Sequence, residues 1–156
     1  MKALCVLGTG GHTIQMSELA SRLGFGVEYV IAREDKFSEK RIKKRGKVRK
    51  IYSEHVSAQI SLKSLLALAA CVVDSFFLAL SIDADAVITV GPGFAVPLCY
   101  WMKLFGKKVV FIESWSRIHH KSASGKLVYP IADLFFVQWP EMKKLYPKAV
   151  YVGRLA

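Results

Sequence analysis

Short apolar runs rich in valine and isoleucine alternate along this chain with stretches of helix length. Examples of such runs are ALCVL at 3–7, AVITV at 86–90 and KVVFI at 108–112. This alternation is typical of a parallel sheet whose strands are joined by crossover helices. The sequence therefore predicts an α/β fold, with a Rossmann-like open parallel sheet flanked by helices.

Seven strands and five helices are predicted, and the 156 residues have the size of one domain covering 1–156. The strands are predicted near 2–7, 27–32, 48–52, 86–90, 108–112, 133–137 and 149–152. The helices are predicted near 11–23, 59–80, 94–105, 122–129 and 140–146.

Much of the net charge of +11 lies in the segment 33–50, which holds ten Lys or Arg and three Asp or Glu. Such a basic segment attracts nucleic acid, anionic lipid or an acidic partner, or it forms a solvated loop. Phe37 and Tyr52 are the aromatic residues in or next to it, which gives few platforms for stacked bases. An RNA-binding module is therefore the weaker alternative, and we expect no nucleic-acid partner.

The cysteines and histidines do not form a metal-binding pattern. Cys5, Cys71 and Cys99 lie among apolar residues and are predicted to be small core residues in a reducing compartment. The sequence has no C-x-x-C pair, and the adjacent His119 and His120 do not converge easily on one ion. We therefore expect that the protein binds no metal. Because the first predicted strand follows Met1 directly, with no signal peptide, we also expect a cytoplasmic protein.

The predicted helix at 59–80 is unusually apolar. Lys63 and Asp74 interrupt it, and its longest run without charge is half of the roughly 20 residues that a membrane span needs, so we expect no span. Small and polar residues share one stripe, whereas the apolar arc covers about 180°, more than the roughly 100° that a surface helix needs. The surplus is predicted to lie on an anionic bilayer, next to the basic segment. The alternative is an arc buried against the sheet and another helix. The predicted membrane contacts are Lys43, Lys44, Arg45, Leu65, Leu66, Val72, Val73, Phe76 and Phe77.

Three loops follow strands at one edge of the predicted sheet. GTGGHT follows the first strand, GPGFAVP follows the fourth, and FIESWSR ends the fifth. Ligands of open parallel sheets bind beyond the carboxyl ends of the strands, where these loops lie. The three loops are therefore predicted to line one cleft.

The GTGGHT turn is suited to bind a phosphate, because glycines let the backbone approach an anion and the next helix offers free N–H groups. No lysine follows Gly11, which excludes a Walker A loop. A dinucleotide fingerprint fits Gly8 and Gly10 but requires a third glycine where Thr13 stands. A nucleotide-binding oxidoreductase domain remains an alternative, as does a tight turn with no ligand.

In this order and spacing, the three loops resemble the acceptor-binding N-terminal half of GT-B glycosyltransferases of the MurG type. The segments GGHTIQM, VGPGFAVPL, FIESWSR, SGKLVYPIADLFFVQWPEMKKLYP and YVGRL are similar to the Alg-fourteen family over 10–155. In that family the N-terminal half is a separate chain. Its eukaryotic members begin with a membrane-spanning helix, which does not precede the first predicted strand here, so the helix at 59–80 is expected to take more of the attachment.

This resemblance implies a subunit of a β-1,4-N-acetylglucosaminyltransferase that is inactive alone. An Alg-thirteen-like partner would bind UDP-N-acetylglucosamine, while this chain would bind a polyprenyl or dolichyl diphosphate sugar at the cytoplasmic face of the membrane. Bacterial-type polysaccharide synthesis with another UDP-sugar is the alternative. Neither a metal nor another cofactor is expected, since GT-B enzymes need no bound metal.

His12 and Glu113 are the predicted catalytic residues. His12 lies at a helix N-terminus, where the dipole disfavours a second proton, so it is predicted to deprotonate the acceptor hydroxyl or orient the diphosphate. Glu113 directly follows VVFI and is predicted to project into the cleft, where it would bind a sugar hydroxyl or act as the alternative base. The alternatives are that His12 only caps its helix, and that Glu113 caps the next segment or pairs with Arg117. The predicted contacts to acceptor and diphosphate are Gly10, Gly11, Thr13, Gly91, Pro92, Gly93, Ser114 and Arg117.

Overall fold

The structure is a computed structural model that describes residues 1–42, 45–53 and 61–155. Its strands are β1 (Lys2–Val6), β2 (Gly26–Ala32), β3 (Val48–Ile51), β4 (Ala86–Thr89), β5 (Lys108–Ile112), β6 (Leu134–Val137) and β7 (Val150–Tyr151). Its α-helices are α1 (Gly11–Arg22), α2 (Lys36–Ile42), α3 (Leu62–Ser81), α4 (Ala95–Leu104) and α5 (Ala123–Val128). A 3-10 helix, Pro140–Lys144, connects β6 to β7.

The seven strands form one parallel sheet in the order β3-β2-β1-β4-β5-β6-β7. The predicted Rossmann-like open sheet is therefore confirmed. The order in which strands are added to the sheet reverses between the neighbours β1 and β4. From β1 the chain adds β2 and β3 on one side, and from β4 it adds β5, β6 and β7 on the other. Such a switch point opens a crevice at the carboxyl ends of the strands, which is where open α/β sheets bind ligands.

Both faces of the sheet are covered, as the apolar strand sequences require. In β1 the side chains of Leu4 and Val6 pack with α4 and α5, whereas those of Ala3 and Cys5 pack with Met16 of α1 on the opposite face. This alternation follows from the two-residue repeat of a strand. The sheet thus provides a rigid support for the loops at its carboxyl edge.

Two predicted elements differ from the structure. The basic segment 33–50 contains α2, a helix that was not predicted. This helix packs on the protein through Ile42, which is fully buried, and Ser38, which faces inward, while its charged residues lie outside. The predicted helix at 140–146 is a shorter 3-10 helix. Residues 59 and 60 of the predicted long helix, and the predicted membrane contacts Lys43 and Lys44, lie outside the described residues.

The long helix α3 packs on the protein through its small residues. The buried stripe consists of Ala67, Cys71, Ser75 and Ala79, which recur every fourth residue and so share one face. Most of the large apolar side chains point away from the core, and the alternative of a wholly buried arc is therefore wrong. The exposed ones are Leu62, Leu65, Leu66, Leu68, Val73, Phe77 and Leu80.

Two predicted membrane contacts of α3 instead lie against α4. The Phe76 ring meets Trp101 edge-on with ring centroids 4.9 Å apart, and it also packs against Phe105. The Trp101 indole N–H donates to the carbonyl of Val72 at 3.1 Å. Val72 and Phe76 are half-buried, so they contribute to helix packing. Arg45, a third predicted contact, is exposed but donates to the Ser17 carbonyl.

Asp74 attaches the middle of α3 to the sheet. Its carboxylate accepts two hydrogen bonds from the Arg33 guanidinium at 2.9 and 3.0 Å, and one from the backbone N–H of Tyr52 at 2.6 Å. In the described part of the chain, α3 is the one helix long and apolar enough to cross a membrane. Only 22% of its most apolar stretch of 18 residues is buried, whereas the core helix of a soluble protein is mostly buried.

Candidate functional site

A cleft of about 850 Å³ opens at the carboxyl edge of the sheet, at the switch point between β1 and β4. The loops after these two strands line it together, as predicted. The prediction that the loop after β5 lines the same cleft is wrong, since no described residue of 113–122 is among the lining residues. The cleft is lined by Thr9, His12, Ala32, Glu34, Asp35, Lys36, Phe37, Ser53, Ala67, Leu68, Cys71, Gly91, Pro92, Gly93, Phe94, Pro97 and Ala123.

His12 links the two loops. Its Nδ1 lies 2.9 Å from the carbonyl oxygen of Val90, the last residue before the second glycine loop. Because a carbonyl oxygen only accepts, Nδ1 must carry the hydrogen of this bond. In the neutral imidazole, the lone pair is then on Nε2, so the half-buried ring can accept a proton at the cleft. This is the tautomer that a general base at this position requires.

The first glycine turn is exposed at Gly10 and Gly11, between the cleft-lining residues Thr9 and His12. Gly10 has φ of +64°, a conformation that glycine adopts without strain. Thr13 is fully buried, and its hydroxyl bonds the Gly8 carbonyl and the Ser38 hydroxyl. The prediction that Thr13 donates to a ligand is therefore wrong, because its hydroxyl holds the turn against α2.

The second glycine loop also needs glycine at a defined position. Gly91 has φ of +93°, and a Cβ there would lie 2.8 Å from the Phe111 ring. The Ser124 hydroxyl donates to the Gly91 carbonyl at 2.7 Å. The loop is therefore fixed from both sides, and with Pro92 and Gly93 it forms a rigid wall of the cleft.

Glu113 does not project into the cleft. It is 1% exposed, and one carboxylate oxygen accepts from the N–H of Ser114 at 3.0 Å. The other accepts from the N–H and the hydroxyl of Ser122 and from the Tyr146 hydroxyl, at 3.0 to 3.2 Å. Four donors thus occupy the carboxylate, and the prediction of a catalytic base is wrong.

The alternative of a capping role for Glu113 is the one that the geometry supports. Ser122 is the N-cap residue of α5 and accepts from the N–H of Gly125. Arg117, the other predicted partner, is exposed and is not among the partners of the carboxylate in the part of the chain that the structure describes. Glu113 therefore closes the loop 113–122 onto the start of α5.

Tyr146 and Gly125 complete this buried carboxylate site and were not predicted from the sequence. Burial and then the neighbouring Glu113 carboxylate raise the pKa of the Tyr146 hydroxyl far above its ordinary value, so it remains a donor at neutral pH. A Cβ at Gly125 would lie 2.4 Å from the Glu113 carboxylate and 2.6 Å from the Tyr146 oxygen. The one available sequence signal was the Ser-x-x-Gly start of the predicted helix at 122–129.

The loop after β5 lies beside the first glycine turn. A Cβ at Gly11 would lie 3.6 Å from the Trp115 indole nitrogen. Ser114 is buried, with its hydroxyl 3.0 Å from that of Ser116, whereas Arg117 is exposed. Neither lines the cleft, so the structure does not bring these two predicted ligand contacts together with His12.

Among the described residues, no three or more His, Cys, Asp or Glu side chains come together in a group that could hold a metal ion. His119 and His120 are exposed. Burial raises the pKa of the Cys71 thiol, which lines the cleft, to about 11. The thiol is therefore protonated at neutral pH and does not provide a nucleophile.

Residues 3–155 match the family described as "Oligosaccharide biosynthesis protein Alg14 like". Proteins named "UDP-N-acetylglucosamine transferase subunit ALG14" are similar to nearly the whole chain. The protein from Mus musculus is 33% identical over an alignment of 180 positions, gaps included, which covers 99% of this chain and 83% of the relative. The protein from Rattus norvegicus is 35% identical over an alignment of 176 positions, which covers 97% of this chain and 82% of the relative.

Solved structures share the fold at low sequence identity. Acinetobacter baumannii MurG has a TM-score of 0.74 at 17% identity, covering 90% of this chain and 42% of MurG. The UDP-GlcNAc 2-epimerase from Neisseria meningitidis bound to UDP-GlcNAc has a TM-score of 0.70 at 15% identity, covering 99% and 47%. This chain thus has the Rossmann-like fold of one GT-B-type domain and spans less than half of either structure.

Proposed function

Since the chain belongs to the Alg14-like family and is a glycosyltransferase subunit, we propose that it binds the sugar acceptor for a catalytic partner. The acceptor is a polyprenyl or dolichyl diphosphate sugar. The partner is an Alg-thirteen-like chain that binds UDP-N-acetylglucosamine, and the product contains a β-1,4 linkage. The names of the relatives support this division, because the mouse protein, of which 83% is covered, is called a subunit of a transferase.

The observation that carries the proposal is the convergence of both glycine loops and His12 on one cleft. Backbone N–H groups at Gly10, Gly11 and Gly93 bind the diphosphate, since glycines let an anion approach closely, whereas Pro92 has no N–H and that of Gly91 donates to the Thr89 hydroxyl. Nε2 of His12 takes the proton from the acceptor hydroxyl. The hydroxyl oxygen then bonds to the anomeric carbon of the donor sugar, and UDP leaves with the electrons of the broken bond.

Attachment to the cytoplasmic face of the membrane is part of the proposal. The exposed side chains of α3, among them Leu65, Leu66, Val73 and Phe77, form an apolar face without a protein partner within the described residues. A face of this kind binds reversibly to a bilayer surface, and nearby Lys and Arg strengthen binding to anionic lipid. The Asp74 ion pair supports a helix that lies on the bilayer while packed on the sheet.

Reconstitution tests this function directly. The purified chain, the purified partner and their mixture are each given UDP-N-acetylglucosamine and a short-chain lipid diphosphate sugar. We expect the mixture to transfer the sugar and neither purified chain to do so without the other. Transfer by this chain alone at the full rate would contradict the division of labour. Transfer from a different UDP-sugar in place of UDP-N-acetylglucosamine would favour the alternative of bacterial-type polysaccharide synthesis.

A further inference from the structure

The cleft continues into a second depression. A groove of about 670 Å³ lies between α3 and α4 and is lined by Val72, Pro97, Tyr100, Trp101, Lys103 and Leu104. Pro97 lines both the cleft and the groove. The two depressions therefore meet at the first turn of α4.

The polarity of the walls changes along this path. At the switch point the cleft has His12 and the glycine loops, whereas its α3 side has Leu68 and Cys71, and Phe94 precedes α4 on the other side. The groove beyond Pro97 is mostly apolar, since the Tyr100 hydroxyl and the Trp101 N–H donate to backbone carbonyls, and Lys103 is its one charged residue. The ammonium group of Lys103 pairs with Asp133 at 2.8 Å, so its charge is compensated and its methylene stem remains for apolar contacts.

A ligand that matches this path has an anionic head and a long, thin apolar chain. Resting on the proposed function, which places a diphosphate at the glycine loops, we propose that the isoprenoid chain of the acceptor extends from there past Cys71 and Phe94, across Pro97, into the groove between α3 and α4. Leu104, the lining residue farthest along α4 from Pro97, is 71% exposed. The chain thus leaves the protein where it enters the bilayer.

This path makes binding depend on chain length. Leu104 lies about two helical turns beyond Pro97, a distance of about 10 Å along α4. Because Pro97 already lies beyond Gly91 on this path, we expect a long isoprenoid with its head at Gly91 to contact Leu104 and a short one to end before it. Replacing Leu104 should therefore weaken the binding of long isoprenoid diphosphates and leave the binding of short ones unchanged.

The test measures binding of inorganic pyrophosphate and of geranyl, farnesyl and geranylgeranyl diphosphates to the full chain without detergent, below the concentrations at which they form micelles. The variant is Leu104→Gln. Its matched control is Leu80→Gln on α3, which is also exposed and is not among the residues lining either depression. Both sites are on the surface, so both variants should fold.

We expect affinity of the unaltered chain to rise with isoprenoid length. Leu104→Gln should weaken geranylgeranyl diphosphate by roughly tenfold, as expected for one apolar side chain, without changing pyrophosphate or geranyl diphosphate binding. Leu80→Gln should bind like the unaltered chain. Affinity that is independent of chain length, or equal effects of both variants, would overturn the inference.

Failure of this inference is separable from failure of the proposed function. If the reconstituted mixture transfers sugar but binding ignores chain length, the groove is not the lipid site and the function stands. If binding depends on chain length and on Leu104 but no sugar is transferred, the lipid site stands and the function is wrong.

Discussion

Replacing Glu113 by glutamine distinguishes the buried structural role of this carboxylate from a catalytic one. The carboxylate presents two acceptor oxygens to four donors, one on Ser114, two on Ser122 and one on Tyr146. Glutamine keeps one acceptor oxygen and replaces the other by an NH₂ donor. At least one buried donor must then face another donor.

The cost follows from which oxygen is replaced. If the amide oxygen faces Ser122 and Tyr146, the NH₂ group opposes the N–H of Ser114, and one unsatisfied buried donor costs about 1–3 kcal/mol. The opposite rotamer places the NH₂ group against the N–H of Ser122, an obligate donor, while the Ser122 and Tyr146 hydroxyls can turn to accept, so at least one buried donor is again unsatisfied. We therefore expect Glu113→Gln to lower the free energy of unfolding by at least about 1–3 kcal/mol, a large share of the 5–15 kcal/mol of a typical domain.

The assay is urea unfolding followed by circular dichroism, together with sugar transfer by the reconstituted complex at temperatures below the unfolding midpoint. Tyr146→Phe is the matched control, since it removes one donor, costs about 1 kcal/mol, and keeps the ring that packs against Phe135. Loss of transfer should follow loss of folded protein in both variants. An unchanged free energy of unfolding with abolished transfer in Glu113→Gln would refute the structural role.

Three further predictions concern stability and membrane binding. Gly125→Ala places a Cβ 2.4 Å from the buried carboxylate, so its free energy of unfolding should fall by about 1–3 kcal/mol or more. Asp133, whose burial alone would raise its pKa, has a pKa lowered to about 2 by bonds from Lys103, the Val109 N–H and Lys108. Asp133→Asn should therefore destabilise the fold at neutral pH, and this difference should disappear as pH falls from about 4 to about 2. Phe77→Ser should reduce flotation with anionic vesicles, because Phe77 is 63% exposed on α3.

Each of these predictions has a result that would contradict it, and Gly125→Ala also has a matched control. Gly93→Ala adds a methyl group where no atom lies within 4 Å, so it should leave stability within about 0.5 kcal/mol; equal losses at both glycines would contradict the packing argument. A stability difference for Asp133→Asn that persists at pH 2 would contradict its ion pairs as the cause. Unchanged flotation of Phe77→Ser would exclude this face from the membrane contact.

The sheet was predictable from the sequence because strands buried on both faces are apolar at nearly every position. The edge that carries the cleft was predictable too, since each glycine loop follows such a strand directly. Helix α2 was missed because its single inward face rests on few residues, notably Ile42 and Ser38, among many charges. For α3, the sequence identified two faces, but only the structure shows that the small-residue stripe of Ala67 and Cys71 faces the protein.

The roles of single site residues were less predictable. The position of His12 followed from its turn, whereas its hydrogen bond to Val90 joins residues 78 positions apart. Glu113 was misjudged because three of its four bonds come from Ser122 and Tyr146, which are 9 and 33 positions away. The end of a strand fixes where a side chain starts, but only tertiary packing determines which donors surround it.

The proposed deprotonation of the acceptor by His12 in the cleft is tested most directly by His12→Asn in the reconstituted complex. Asparagine retains a side-chain N–H that can donate to the Val90 carbonyl, but it cannot accept the proton. We predict that kcat falls by about 10²–10⁴-fold, while partner binding and the KM for the acceptor stay close to their original values. A kcat equal to that of the unaltered complex would contradict the account.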